Sequence, residues 1–361
     1  MTLKRKHRLL IALVSGVLLW LPWTEFSLGW ILFFAFVPLL FLEDHICEHH
    51  HKARRVLGNT YIAFFIWSLL SLWWIYNAAF IGAAAAVVIG GFFITIPFYL
   101  FHLVKRKLGR RIGYYSLVFF FVGFEYIYLN SELSFPWINL GNGFARNIIF
   151  IQWYEYTGTL GGTLWVMISN ILLFQIIKKY LNVRSFRKII APLGFRVGII
   201  ILPIIISIIL FHTYEEKGET YNVVVIQPNI DPYADKYEGL TPMEQLEIIL
   251  KLAEEKTSTQ TDYIVAPESA IDYPSMWIKT NRKTGKTYLS RYPDKIDTVN
   301  EIRIMLLQQF IAKYPKTKFI TGVSTRREFE KGEPLTPTHR KDGKPPVIFD
   351  AYNTAIQIDT T

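Results

Sequence analysis

Between Val56 and Val104 lie 49 residues without a single Asp, Glu, Lys or Arg. One membrane-spanning helix needs about 20 apolar residues, at about 1.5 Å each, to cross a hydrocarbon core of roughly 30 Å. The run is too long for one helix and suits two, joined near Tyr76 and Asn77. Further apolar segments near residues 9–23, 27–42, 112–130, 158–177 and 195–212 raise the expectation to about seven transmembrane helices in a membrane domain of residues 1–212. Lys4, Arg5, Lys6 and Arg8 ahead of the first apolar core would also suit a signal peptide. Trp20, Pro22 and Trp23 offer no small-residue cleavage site, however, and more spans follow, so the segment is expected to be retained.

The formal net charge is +10, and its distribution separates a nucleic-acid binder from a membrane protein. Residues 1–212 carry 19 Lys and Arg against 7 Asp and Glu, whereas residues 213–361 carry 20 against 22. The basic excess lies among the apolar segments, which argues for a membrane and against nucleic acid as partner. Lys and Arg in the successive connections number 4, 0, 3, 0, 5, 1 and 6. By the positive-inside rule, this alternation predicts a cytoplasmic N-terminus and an outer location for residues 213–361. With 51% hydrophobic residues the chain is not disordered.

Residues 213–361 read as alternating strands and helices. Tyr221 to Gln227 is a β-branched run that ends at Pro228 and Asn229. Thr241, Pro242 and Glu244 mark a helix start ahead of Leu246, Ile249, Leu250 and Leu252. A second strand, Asp262 to Ala266, ends in Pro267 and Glu268. A Lys-rich loop is expected from about 278 to 295, then a helix from Ile296 to Tyr314 and a third strand from Lys318 to Val323. A turn-rich stretch, 326–346, precedes a fourth strand, Tyr352 to Ile358. This order predicts an α/β layered domain whose functional residues gather at the carboxyl ends of strands. A sheet stopping at a new strand would expose an edge, so the sequence is expected to be the N-terminal portion of a longer chain.

Glu268 is the residue this layout singles out. A carboxylate at the carboxyl end of a buried strand can serve as a general base if it is partly desolvated; it can equally cap the next element or face water. Glu125, inside the fifth apolar segment, is costly there unless paired or reached by water, which makes it a functional candidate or a bond to a neighbouring helix. The lone cysteine, Cys47, excludes an internal disulfide. Cys47 with His49, His50 and His51 reads as a solvated basic loop, because consecutive residues rarely converge on one ion, so no metal is expected. No charge pairs are evident in the helices, which argues against a transporter.

Ile226-Gln227-Pro228-Asn229, Val265-Ala266-Pro267-Glu268-Ser269, Ile320-Thr321-Gly322-Val323 and Tyr352-Asn353-Thr354 resemble successive strands of the nitrilase-type domain of the apolipoprotein N-acyltransferase family. Glu125, Phe135-Pro136-Trp137, Leu140-Gly141, Tyr156-Thr157-Gly158 and Gly161-Gly162 are similar to that family's membrane region. The resemblance implies a polytopic α-helical membrane domain followed by residues 213–361 as part of an extracytoplasmic nitrilase-like αββα sandwich, in a bacterial inner membrane. It implies a Glu, Lys and Cys triad without cofactor. Acyl transfer then runs from a phospholipid donor, through an acyl-thioester enzyme, to the α-amino group of a diacylglyceryl-cysteine apolipoprotein.

Glu268 matches the family's base. The family's Lys and Cys follow the strand that corresponds to Tyr352 to Ile358, so Lys341, Lys344 and Cys47 are not their counterparts, and residues 1–361 alone are expected to be inactive. Tyr237 is a candidate substrate-binding aromatic after the first strand, where packing on the membrane surface is the alternative. The Phe135-Pro136-Trp137 loop is a candidate for shaping a lipid entrance. Competing readings are a membrane-tethered nitrilase-type amidohydrolase and a catalytically silent lipid-binding or scaffold protein.

Overall fold

Helices account for most of the first 216 residues: α1 (Arg5–Trp20), α2 (Val37–Glu48), α3 (Arg54–Leu72), α4 (Phe80–Leu129), α5 (Tyr154–Val183) and α6 (Arg187–Thr213). The computed structural model describes residues 3–49, 51–131, 134–184, 187–231, 235, 239–270, 276–280, 287–291, 298–343 and 346–359. It divides into two units, Met1–Glu216 and Lys217–Thr361.

Four helical stretches of the first unit are long and apolar enough to cross a membrane: Gly29–Glu48, Arg54–Asn77, Phe80–Leu129 and Tyr154–Val183. The chain is a multi-pass membrane protein. At 50 residues, α4 would run about 75 Å if straight, far beyond one bilayer. Gly109 divides it, at φ 87° and ψ 171°, in a region that glycine enters without steric cost. The two arms fold back on each other, so that Phe101 stacks on Tyr114 with ring centroids 6.0 Å apart. The second half of the Val56–Val104 run and the apolar segment near 112–130 are these arms. Both α1, of 16 residues, and the apolar stretch Val197–Thr213 are shorter than the other spans.

Away from water, backbone groups at a helix start need partners within the protein. Asn170 on α5 meets this need for α2. Its Oδ1 accepts from Phe36 N at 2.8 Å, and its Nδ2 donates to Leu32 O at 2.6 Å.

Charges also pair inside the first unit, which corrects the sequence expectation. Glu43 and Asp44 are buried on α2. His102 Nδ1 lies 2.7 Å from Glu43 Oε1, and Lys105 Nζ donates to Glu43 Oε2 at 2.5 Å and to Asp44 Oδ1 at 3.0 Å. Lys178 of α5 also binds Asp44 and reaches Glu48 at 2.7 Å. These partners are 59 or more residues apart in sequence, so only the packing of α2 against α4 and α5 brings them together.

Removing one member of a buried pair leaves its partner uncompensated, at a cost of about 3–5 kcal/mol. Lys105→Met should therefore lower resistance to thermal unfolding in detergent by about that amount. Combining it with Glu43→Gln should recover part of the loss, as read by the fraction that stays monodisperse after heating.

The second unit contains β1 (Val223–Val225), α7 (Pro242–Lys256), β2 (Tyr263–Val265), β3 (Met276–Thr280), β4 (Thr287–Arg291), α8 (Thr298–Ala312), β5 (Lys318–Glu328), β6 (Arg340–Asp342) and β7 (Val347–Ile358). Its sheet is mixed. β1, β2 and β5 are parallel neighbours, and β7 lies antiparallel to β5 from Phe319↔Ile358 to Glu328↔Phe349. β3 joins β5 at Trp277↔Arg326 and forms a hairpin with β4, while β6 pairs with β7. The expected loop at 278–295 thus includes strand residues, and the turn-rich stretch at 326–346 begins with the end of β5 and includes β6. Both segments are rich in polar residues, and ladder partners rather than apolar alternation make them strands.

Leu246, Ile249 and Ala253 of α7 pack with Ile264, Phe319 and Val323 in this unit's core. Thr241 and Glu244 close a reciprocal capping box at the start of α7. The Thr241 hydroxyl and amide hold the Glu244 carboxyl below its ordinary range. The contribution of this cap is present at neutral pH and is lost as pH falls through that lowered value.

Candidate active site

Glu268 follows β2 on a sharp elbow. Ala266 N still donates to Ile320 O of β5 at 2.9 Å, after which Ala270 N turns back to Pro267 O at 3.2 Å. Ser269 adopts φ 51°, a left-handed conformation uncommon outside glycine, and such departures cluster at functional sites. Gly322 on β5 makes the elbow possible. A Cβ there would stand 2.6 Å from Ser269 N and 2.7 Å from Glu268 Cα.

Asn353 of β7 fixes the carboxylate. Its Nδ2 donates to Glu268 Oε1, while Ser269 Oγ donates to Asn353 Oδ1 at 3.4 Å. One amide thereby ties two successive elbow residues to the strand paired with β5. Glu268 itself is exposed, so the desolvation anticipated from a strand end is not supplied by the described residues around it. Asn353 and Gly322 both stand in motifs visible in the sequence. Their contacts with the elbow are not visible there, because the side-chain partners are 85 residues apart.

A second constellation surrounds Glu125 on the second arm of α4. Glu125 Oε1 accepts from Leu140 N at 2.9 Å, and Oε2 accepts from Thr163 Oγ1 at 2.5 Å. Thr163 Oγ1 in turn accepts from Gly141 N at 3.2 Å, and Tyr154 OH donates to Gly141 O at 3.1 Å. Glu125 therefore clamps the turn after the Phe135-Pro136-Trp137 loop onto α5. A Cβ on Gly141 would fall 2.0 Å from Thr159 O, so the Leu140-Gly141 pair is read here as close backbone approach. Trp137 lies edge-on to Trp74 at 5.3 Å, and its carbonyl accepts from Trp23 Nε1 at 2.9 Å.

Tyr237 and Lys344 lie outside the described residues. Lys341 is on β6, paired with Ile348. Cys47 belongs to the first unit, where its Sγ, a Glu43 oxygen and a His102 nitrogen lie within 4.8 Å of one another. Both Glu43 oxygens are already engaged by His102 and Lys105, so Glu43 and His102 belong to the ionic network and Cys47 lies beside it.

Residues 15–172 match the family model of the apolipoprotein N-acyltransferase N-terminal domain. The chain is similar to apolipoprotein N-acyltransferases. Its relatives of that name include one from Chlorobaculum tepidum, 25% identical over 73% of this chain and 49% of the relative. Another, from Geobacter metallireducens, is 26% identical over 73% of this chain and 51% of the relative. A third, from Thermotoga maritima, is 21% identical over 87% of this chain and 61% of the relative. The chain thus spans about half the length of the first two. The likeness to apolipoprotein N-acyltransferases extends beyond the membrane unit, because 73% of the chain is more than Met1–Glu216 contains.

Two substitutions test how these constellations are held. Gly322→Val should destabilise the second unit by about 1–3 kcal/mol through overpacking against the elbow, and should speed hydrogen exchange at the Ala270 amide. Thr163→Val should cost about 1–3 kcal/mol by leaving a Glu125 oxygen and Gly141 N without their partner, read as a lower melting temperature in detergent.

Proposed function

We propose that this chain provides the membrane domain and the general base of a lipoprotein N-acyltransferase in the bacterial inner membrane, with the N-terminus cytoplasmic and the α/β unit on the outer side. Support for the orientation comes from the alternating Lys and Arg content of the connections. The observation that carries the catalytic reading is the Glu268 elbow. An acidic side chain stands at the carboxyl end of a parallel strand, held by Asn353, in a chain whose relatives bear the acyltransferase name.

In this reading Glu268 removes the proton of a cysteine thiol, and the thiolate attacks the carbonyl carbon of a phospholipid ester. A lysine stabilises the oxyanion, and its collapse releases a lysophospholipid and leaves an acyl thioester. The α-amino group of a diacylglyceryl-cysteine then attacks the thioester, giving an amide and restoring the thiol. Apolar tails of donor and acceptor remain in the bilayer while the reacting groups meet at its surface. Tyr237 is proposed to contact substrate. No lysine or cysteine of residues 1–361 is assigned to the triad in this reading.

Glu268→Gln, made in a full-length protein that supplies the lysine and cysteine, should reduce acyl-enzyme formation by about 10²–10⁴-fold without altering membrane insertion. Labelled phospholipid and gel detection of the thioester provide the readout. An acyl-enzyme formed at an undiminished rate would remove Glu268 from the role of base. Release of free fatty acid in place of transfer to a lipopeptide would favour the amidohydrolase reading.

A further inference from the structure

The second arm of α4 and helix α5 run antiparallel. They are joined at one end by Glu125 and Thr163, and at the other by Arg110 and Lys178, which both bind Glu48. Between them lies a groove of about 850 Å³. Its walls are apolar along most of their length, with Phe119 and Val122 on one side and Leu164 and Ile168 on the other. Arg111 and Gln175 line the end where the basic residues Lys105, Arg106, Lys107, Arg110, Lys178 and Lys179 collect. From Arg111 to Tyr126 the groove follows α4 for about 22 Å, longer than the roughly 15 Å depth of one bilayer leaflet.

The cation at the mouth is uncommitted. Arg110 pairs with Glu48 at 2.5 Å, whereas its neighbour Arg111, exposed, has no ion pair among the described residues. A guanidinium offers paired donors that match a phosphate. Charge at one end and an apolar trough longer than one leaflet is deep beyond it match the polarity of a phospholipid. We propose that this groove is a binding site for an anionic phospholipid of the leaflet that meets the basic helix ends, with the phosphate on Arg111 and one acyl chain between α4 and α5. The site belongs wholly to the first unit, contains no part of the Glu268 elbow, and does not depend on the catalytic reading.

Native mass spectrometry of the full chain, released from micelles containing equal amounts of phosphatidylglycerol and phosphatidylethanolamine with identical acyl chains, tests the site. Phosphatidylglycerol should be retained preferentially, and Arg111→Gln should reduce its retention by about fivefold, the factor for one surface cation of about 1 kcal/mol. Lys107→Gln removes an exposed cation that does not line the groove and should leave the preference intact. Gly123 lines the groove with nothing within 4 Å of where its Cβ would stand. Gly123→Leu should therefore fill the trough and lower retention of both lipids while Arg111 remains. Equal retention of the two lipids by the unaltered chain would overturn the proposal. So would an equal effect of Lys107→Gln and Arg111→Gln, or unchanged retention in Gly123→Leu.

Discussion

The first unit depends on the pairing of Glu43 and Asp44 within an apolar helix assembly. Two adjacent carboxylates buried on α2 would be prohibitive in a membrane without cations at close range. Lys105, His102 and Lys178 supply the compensating contacts from two other helices. The network therefore fixes how α2, α4 and α5 meet. A buried ion pair adds little net stability over an apolar core, but a misregistered helix would strand its charges, so the arrangement selects one packing over its neighbours.

That choice also locates the groove between α4 and α5. The helices are held at one end by ionic contacts around Glu48 and at the other by the Glu125 and Thr163 hydrogen bond. Between the fixed ends, side chains need only exclude water, and a trough open to lipid is tolerated there. Glu125 and Glu43 thus use opposite strategies for an acidic group inside a membrane protein. Glu43 is met by the Lys105 ammonium and the His102 ring, whereas Glu125 is met by a backbone amide and a hydroxyl, which turns a buried acid into a fastener for the turn at Leu140.

In the second unit the decisive contacts are steric as well as polar. Gly322 lets β5 approach the Glu268 elbow, and Asn353 on β7 holds its carboxylate. Both act across a sheet whose strands are assembled from distant parts of the chain, so neither contact follows from local sequence preference. The hairpin of β3 and β4 was hidden for the same reason. Its polar residues carry little apolar alternation, and the ladder itself makes them strands.

What the sequence determined was set by transfer between water and hydrocarbon and by short-range capping. Apolar run lengths marked the helices, the unbroken charge-free stretch from Val56 to Val104 required two of them, and Thr241 with Glu244 marked the start of α7. Glu268, too, stood out from its place after a β-branched strand. Tertiary structure alone decided that Glu43 and Asp44 would meet Lys105, that Glu125 would bind Thr163, and that Asn353 would hold Glu268. Those pairs are separated by 38 to 85 residues, and the identity of such a partner depends on where the chain returns, which no local preference encodes.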